Sequence, residues 1–253
     1  MVVHRAWPLA LMLAVLTVLV ACASSKREDK LLQQLANLDK QTIFDRAEAL
    51  YSEEKYSDAR DHYSFLYDTF PNDPLGHKAA LRIADTYAVK KDSTAQTEAR
   101  LRYRDFVNRY PNDPDRAYAL LRLGQTYTTG RLRPDRDLAP VHEALDAYQQ
   151  LLNLYPSSPH VGEAREKTTA LREMLAEHEW LVARFYWRNG RWRGALWRLE
   201  QLKEKYPEYS GMTQVDELIA QLKPEVEKID KAMRPEPIIE KPEQTLTRTP
   251  GVG

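Results

Sequence analysis

The chain has 253 residues, 43% hydrophobic and 29% charged, which is enough for one solenoid or for one or two globular domains. Its 37 basic residues balance its 37 acidic ones, so no overall charge favours nucleic acid or an anionic membrane surface as a partner. The one cysteine, Cys22, excludes a disulfide framework and a cysteine-based metal cluster within the chain.

Residues 1–21 have the features of a signal peptide. A weakly basic start precedes an apolar run over residues 9–20, which is shorter than the roughly 20 residues of a membrane span. The run ends in Leu19-Val20-Ala21-Cys22, which looks like a bacterial lipobox, although an uncleaved anchor with an incidental cysteine is the alternative. We therefore expect cleavage before Cys22 and acylation of its thiol and amine. Each buried CH₂ of an acyl chain adds about 0.8 kcal/mol, so the anchor would be permanent.

The residues after the cysteine indicate the destination and the start of the folded part. Lipobox proteins without Asp after the cysteine usually travel to the outer membrane, and Ala23 and Ser24 follow here. We assign residues 22–40 to the lipidated cysteine and a polar tether, although a helical apolar pattern already begins at Leu31.

A motif that recurs at the ends of predicted helices divides the next 170 or so residues into repeats. An aromatic residue precedes a proline four times, at Pro71, Pro111, Pro156 and Pro207, at intervals of 40, 45 and 51 residues. Upstream of each proline stands a small residue with an aromatic or Leu four positions later: Ala59 and Tyr63, Ala99 and Tyr103, Ala144 and Tyr148, Ala195 and Leu199. In the third repeat, residues 120–127 read L-x₂-L-G-x₂-Y, close to the tetratricopeptide pattern of paired antiparallel helices.

This pattern predicts an all-α fold, a right-handed α-solenoid of about five tetratricopeptide-type helical hairpins. We assign repeats 1–3 to residues 41–159 and repeats 4 and 5 to residues 160–233. Repeat 3 carries an insertion over residues 128–140, either a solvated loop or a partner contact. Repeat 4 opens with a long helix over about residues 160–188. The last element is either a helical pair or one helix containing Pro224, and the Pro-rich residues 234–253 are predicted to be disordered.

No motif for catalysis, metal or phosphate binding is present: His178-Glu179 lacks the second His of a zinc site, and no Gly-rich phosphate loop or G-x-S-x-G occurs. We expect no enzymatic activity and no cofactor. Arginine and tryptophan concentrate in residues 184–198, a composition typical of protein-interface hot spots and of single-strand nucleic-acid binding. A lipidated protein outside the cytoplasm does not normally meet nucleic acid, so we expect a protein contact and no nucleic-acid partner. The alternative is a buried Trp192 with solvated arginines.

The most specific resemblance lies in repeat 4. Residues 186–200 follow the spacing Y-x₃-G-x-W-x₂-A-x₂-R-x-E, and repeat 3 contains Asp135-Arg136-Asp137. Over roughly residues 20–232, the chain resembles the BamD family. Members are lipoprotein subunits of the bacterial machine that assembles outer-membrane β-barrel proteins, and they contain five tetratricopeptide repeats.

The resemblance implies a non-catalytic, lipid-anchored subunit at the outer membrane, facing the periplasm and binding other assembly lipoproteins. The C-terminal repeats would bind the POTRA domains of a BamA-like insertase. Arg198 matches the family's contact arginine, and Arg184 and Arg188 are weaker candidates. The N-terminal repeats would bind unfolded outer-membrane proteins. The candidate contacts are Tyr51, Tyr63, Tyr67 and Tyr87, although no motif singles them out and core packing explains them better. The alternative function is a periplasmic scaffold for envelope division or peptidoglycan work.

Overall fold

A computed structural model describes residues 30–130 and 132–233. Cys22, the predicted signal peptide and the predicted disordered tail lie outside those residues. The described part contains helices and no strand, which confirms the all-α prediction. The helices are α1 (residues 30–36), α2 (Lys40–Ser52), α3 (Tyr56–Thr69), α4 (Pro74–Ala88), α5 (Ser93–Arg109), α6 (Arg116–Thr128), α7 (Ala139–Leu154), α8 (Val161–Arg188), α9 (Trp192–Lys205) and α10 (Met212–Met233).

The described residues fall into two compact units, one up to Met174 and one from Leu175 onward. In the first unit, α2 to α7 form three tetratricopeptide-like hairpins. The buried Leu35 of α1, within the segment assigned to the tether, joins the core of the first hairpin. In the second unit, the C-terminal part of α8 packs with α9 and α10 around Ala183, Ala195 and Leu199.

Small residues allow the paired helices to approach closely, as the spacing predicts. A Cβ atom added to Gly124 of α6 would lie 2.3 Å from the ring of Tyr148 on α7. The Tyr148 ring and Ala144 are both fully buried. Farther along the same two helices, the hydroxyl of Tyr127 donates to Glu143 over 3.1 Å, so α6 and α7 run antiparallel.

The repeated aromatic–proline step ends one helix, and an aspartate starts the next. At the end of α3, the N–H of Phe70 still bonds to the Leu66 carbonyl over 2.9 Å, and Pro71 then stops the helix. The side chain of Asp73 accepts from the N–H of Leu75 over 2.9 Å and caps α4. Pro74 occupies the first turn of α4, where a missing N–H costs nothing.

The same step also joins neighbouring repeats. The hydroxyl of Tyr110 donates to the carbonyl of Pro71 over 3.3 Å, and that of Tyr155 donates to the carbonyl of Pro111 over 3.3 Å. The first repeat carries Phe70 at the equivalent position. The recurring aromatic–proline step of the sequence therefore forms the same hydrogen bond at two successive junctions between repeats.

A second recurring contact pairs arginine with tyrosine. The guanidinium of Arg60 on α3 lies 4.2 Å from the ring centre of Tyr87 on α4. One repeat later, Arg100 on α5 lies 4.5 Å from the ring centre of Tyr127 on α6. Both are cation–π contacts between the second helix of one repeat and the first helix of the next.

The last element is one continuous helix rather than a helical pair. Helix α10 contains Pro224, which removes one backbone hydrogen bond without ending the helix. Lys203 of α9 pairs with Asp216 of α10 over 2.5 Å, and Arg193 pairs with Asp230. The residue nearer the end of α9 thus pairs with the residue nearer the start of α10, so the two helices are antiparallel.

The insertion of repeat 3 is a loop between α6 and α7. In it, Nε and Nη2 of Arg133 each donate to the Asp135 carboxylate over 2.9 Å. Both side chains are half exposed, so this local ion pair is worth at most about 1 kcal/mol.

Candidate protein-binding surfaces

The four tyrosines predicted to bind substrate do not form one site. Tyr63 is 0% exposed, and its hydroxyl donates to the Glu48 carboxylate. Burial, with this carboxylate beside it, raises the pKa of Tyr63 far above its usual range. Tyr63 therefore belongs to the core of the first repeat, and we leave it out of any proposed binding surface.

The other three tyrosines are partly exposed, and each contacts a different arginine. The guanidinium of Arg82 stacks on the ring of Tyr51 and lies 4.3 Å from the centre of that ring. Tyr87 instead faces Arg60, and it follows Arg82 by five residues, which is about 140° around the helix. The hydroxyl of Tyr67 accepts a hydrogen bond from Arg109 of α5.

A polar network that the sequence analysis missed connects the first helices of repeats 1 to 3. At its centre, Asp85 is 1% exposed and accepts from the hydroxyls of Tyr103 over 2.5 Å and Tyr118 over 3.0 Å. Nη1 of Arg82 also donates to Asp85 over 3.1 Å, and Nε of Arg122 lies 3.8 Å from it. A buried carboxylate thus fixes two arginines that remain partly exposed.

Arg82 extends this network to repeat 1. Its Nε donates to Glu48 over 2.7 Å, and its Nη2 donates to the other carboxylate oxygen. Burial opposes ionisation of Glu48, but hydrogen bonds from Arg82 and Tyr63 outweigh it and hold the pKa of Glu48 below its usual value. We call the partly exposed members of the network the first-helix surface: Glu48, Tyr51, Arg82, Tyr118 and Arg122.

In the second unit, Arg198 is fixed beside α8. Its Nη1 donates to Glu179 over 2.8 Å, and its guanidinium lies 5.5 Å from the ring centre of Trp197. The Trp197 side chain is 57% exposed. We call Glu179, Trp197 and Arg198 the Arg198 surface.

The other two candidate arginines lie elsewhere on α8. Arg188 is exposed and follows Glu179 by nine residues, which places it about half a turn away around the helix axis. Arg184 lies 5.5 Å from the ring centre of Trp180 and is close to Arg188 on the helix. The structure therefore does not bring Arg184 and Arg188 onto the face of α8 that Arg198 contacts.

Within residues 30–130 and 132–233, no helix is both long and apolar enough to cross a bilayer.

Comparisons with known proteins agree on one family. The model of the family YfiO, described as an outer membrane lipoprotein, matches residues 36–230. The outer membrane protein assembly factor BamD of Vibrio cholerae is 38% identical over 76 residues, which is 30% of this chain and 32% of that protein. The BamD of Xylella fastidiosa is 34% identical over 73 residues, 29% of this chain and 25% of that protein.

The BamD of Haemophilus influenzae is 26% identical over 134 residues, 47% of this chain and 50% of that protein. In each of these matches, the aligned part of the chain thus spans half the length of the curated relative or less.

Proposed function

Because the chain belongs to the YfiO family of outer membrane lipoproteins, we propose that it is a non-catalytic subunit of the machinery that assembles outer-membrane β-barrel proteins. The family match over residues 36–230 carries this proposal, and the names of the relatives supply the process. In this proposal, Cys22 is lipidated and anchors the chain to the outer membrane, facing the periplasm. The anchor raises the effective concentration of its binding surfaces where barrels are inserted.

The Arg198 surface is our candidate for binding the POTRA domains of a BamA-like insertase. An exposed tryptophan beside an arginine is the composition of an interface hot spot. Glu179 engages Nη1 of Arg198 and so restricts the guanidinium, which reduces the entropy cost of binding a carboxylate. Arg184 and Arg188 stay weaker candidates, because a flat partner centred on Arg198 does not reach the opposite side of α8.

The first-helix surface is our candidate for binding unfolded barrel proteins. It combines the ring of Tyr51 with the partly exposed guanidinium groups of Arg82 and Arg122, which the buried Asp85 holds in place. Such a surface offers stacking for side chains and hydrogen-bond donors for the carbonyl and carboxylate oxygens of an extended chain. Tyr67 and Tyr87 lie away from it and would serve a substrate only at a second position.

Charge reversal at Arg198 tests the insertase contact. We expect Arg198→Glu to abolish co-purification with the insertase from detergent-solubilised membranes while leaving the circular dichroism spectrum unchanged. Arg193→Glu is the matched control, since Arg193 is an ion-paired, half-exposed arginine on the same helix. Undiminished co-purification of the Arg198 variant would refute this role.

The assembly function itself is tested by depleting the protein in its own cells. We expect outer-membrane barrel proteins to fall and unfolded precursors to accumulate in the periplasm. Normal barrel levels in viable depleted cells would instead support a periplasmic scaffold for envelope division or peptidoglycan work.

A further inference from the structure

One exposed stripe of α8 has no role in the fold described above. Leu181, Arg184, Phe185 and Arg188 are spaced i, i+3, i+4 and i+7, so they share one side of the helix. Phe185 is 61% exposed and Leu181 is 36% exposed, whereas Ala176 and Ala183 on the other side are fully buried. We call these four residues the α8 surface.

The α8 surface is positively charged without compensation. Residues 180–188 contain two arginines and no Asp or Glu. In the part of the chain that the structure describes, neither Arg184 nor Arg188 forms an ion pair. Arg60 and Arg100 of the first unit differ, because each stacks on a tyrosine of the next repeat and so stabilises the packing between repeats.

Arg184 is also restrained before any partner arrives. Its guanidinium lies 5.5 Å from the ring centre of Trp180, one turn earlier on α8, and its side chain is partly buried. A restrained guanidinium loses less entropy on binding and is suited to two parallel hydrogen bonds with a carboxylate. Phe185, next to it, needs an apolar pocket rather than a charged one.

We propose that the α8 surface binds a protein partner that presents an apolar pocket bordered by Asp or Glu side chains, separately from the Arg198 surface. Phe185 fills the pocket, and Arg184 and Arg188 pair with the carboxylates on its border. A lipid surface fits less well, because a membrane-bound helix needs a broad apolar face and this stripe has two apolar side chains. The proposal does not depend on what the Arg198 surface binds.

Site-specific photo-crosslinking in the full-length, membrane-bound protein tests it. A photoreactive phenylalanine analogue replaces Phe185 in one variant and Trp197 in another, and the adducts are identified by mass spectrometry. Trp197 is the matched control, a similarly exposed aromatic residue on the Arg198 surface. We expect position 185 to label a protein segment that contains or adjoins Asp or Glu, different from the segment that position 197 labels.

Charge reversal supplies the second measurement. With Arg184→Glu and Arg188→Glu, we expect the yield of the position-185 adduct to fall about tenfold or more, because two attractions become repulsions. The position-197 adduct should keep its yield, which shows that the variant folds.

Four results at position 185 would overturn the proposal. They are phospholipid adducts alone, no adduct, labelling of the same segment as position 197, and a yield that resists charge reversal. A failure at position 197 alone would count against the insertase contact and not against this surface.

Discussion

Replacing Gly124 by alanine should destabilise the first unit, although alanine is the better helix former. The added Cβ would lie 2.3 Å from the Tyr148 ring, well inside van der Waals contact. That ring is fully buried, so it cannot turn away into solvent. Overpacking costs about 1–3 kcal/mol, and a 2.3 Å contact with a ring that cannot turn away belongs in the upper part of that range, about 2–3 kcal/mol. The gain in helix propensity returns about 1 kcal/mol. We expect a net loss of about 1–2 kcal/mol.

Urea unfolding of the mature chain, followed by circular dichroism, measures this loss as a lower transition midpoint. Gly162→Ala is the matched control, because Gly162 lies in α8 and a Cβ there meets no atom within 4 Å. The control should be as stable as the wild type or slightly more stable. Tyr148→Leu should partly rescue Gly124→Ala by making room for the methyl group. A Gly124→Ala variant as stable as the wild type would refute the close approach of α6 and α7.

Other predictions address the polar network and the repeated contacts. Asp85→Asn should lower the free energy of unfolding by about 2–3 kcal/mol, because it removes the charge of a buried carboxylate that two arginines face. The control Asp68→Asn, at an exposed aspartate, should change the urea midpoint little. Tyr110→Phe should lower the free energy of unfolding by about 0.5 kcal/mol, since it removes one exposed hydrogen bond to the Pro71 carbonyl. A larger loss of stability would mean that the ring itself is displaced. The pKa of Glu48 is lower in the folded protein than its unfolded value of 4.5, so its contribution to stability is present above that value and is lost as the pH falls through the folded pKa. Urea midpoints measured between about pH 3 and 7 should therefore fall less steeply at the acid end for Glu48→Gln than for the wild type.

The sequence predicts the core well, because the core follows a local period. Ala59, Tyr63, Ala99 and Tyr103 recur 40 residues apart, and all four are fully buried. The prediction of the substrate-binding tyrosines was less successful. Tyr63 stands at the recurring core position and could have been excluded on that ground, whereas no pattern in the sequence shows that the ring of Tyr51 stays partly exposed.

Sequence analysis did not find the polar network, because the partners of Asp85 are distant in sequence. Tyr103 is 18 residues away and Tyr118 is 33 residues away, on two other helices. Local composition was also an incomplete guide to the arginines. The arginine-rich segment 184–198 stands out in the sequence, whereas the stacking of Arg60 on Tyr87 becomes visible only when the helices are packed.

The recurring contacts of repeats 1 to 3 make a 40-residue stretch exchangeable. Excision of residues 72–111 would join Pro71 to Asn112 and keep the Pro-Asn-Asp-Pro junction intact. Tyr155 would then meet the carbonyl of Pro71, and Arg60 would meet Tyr127, so both inter-repeat contacts would be re-formed. Engineered variants of this chain should therefore tolerate an array that is shorter or longer by one whole repeat, because the junction and both contacts between repeats stay the same.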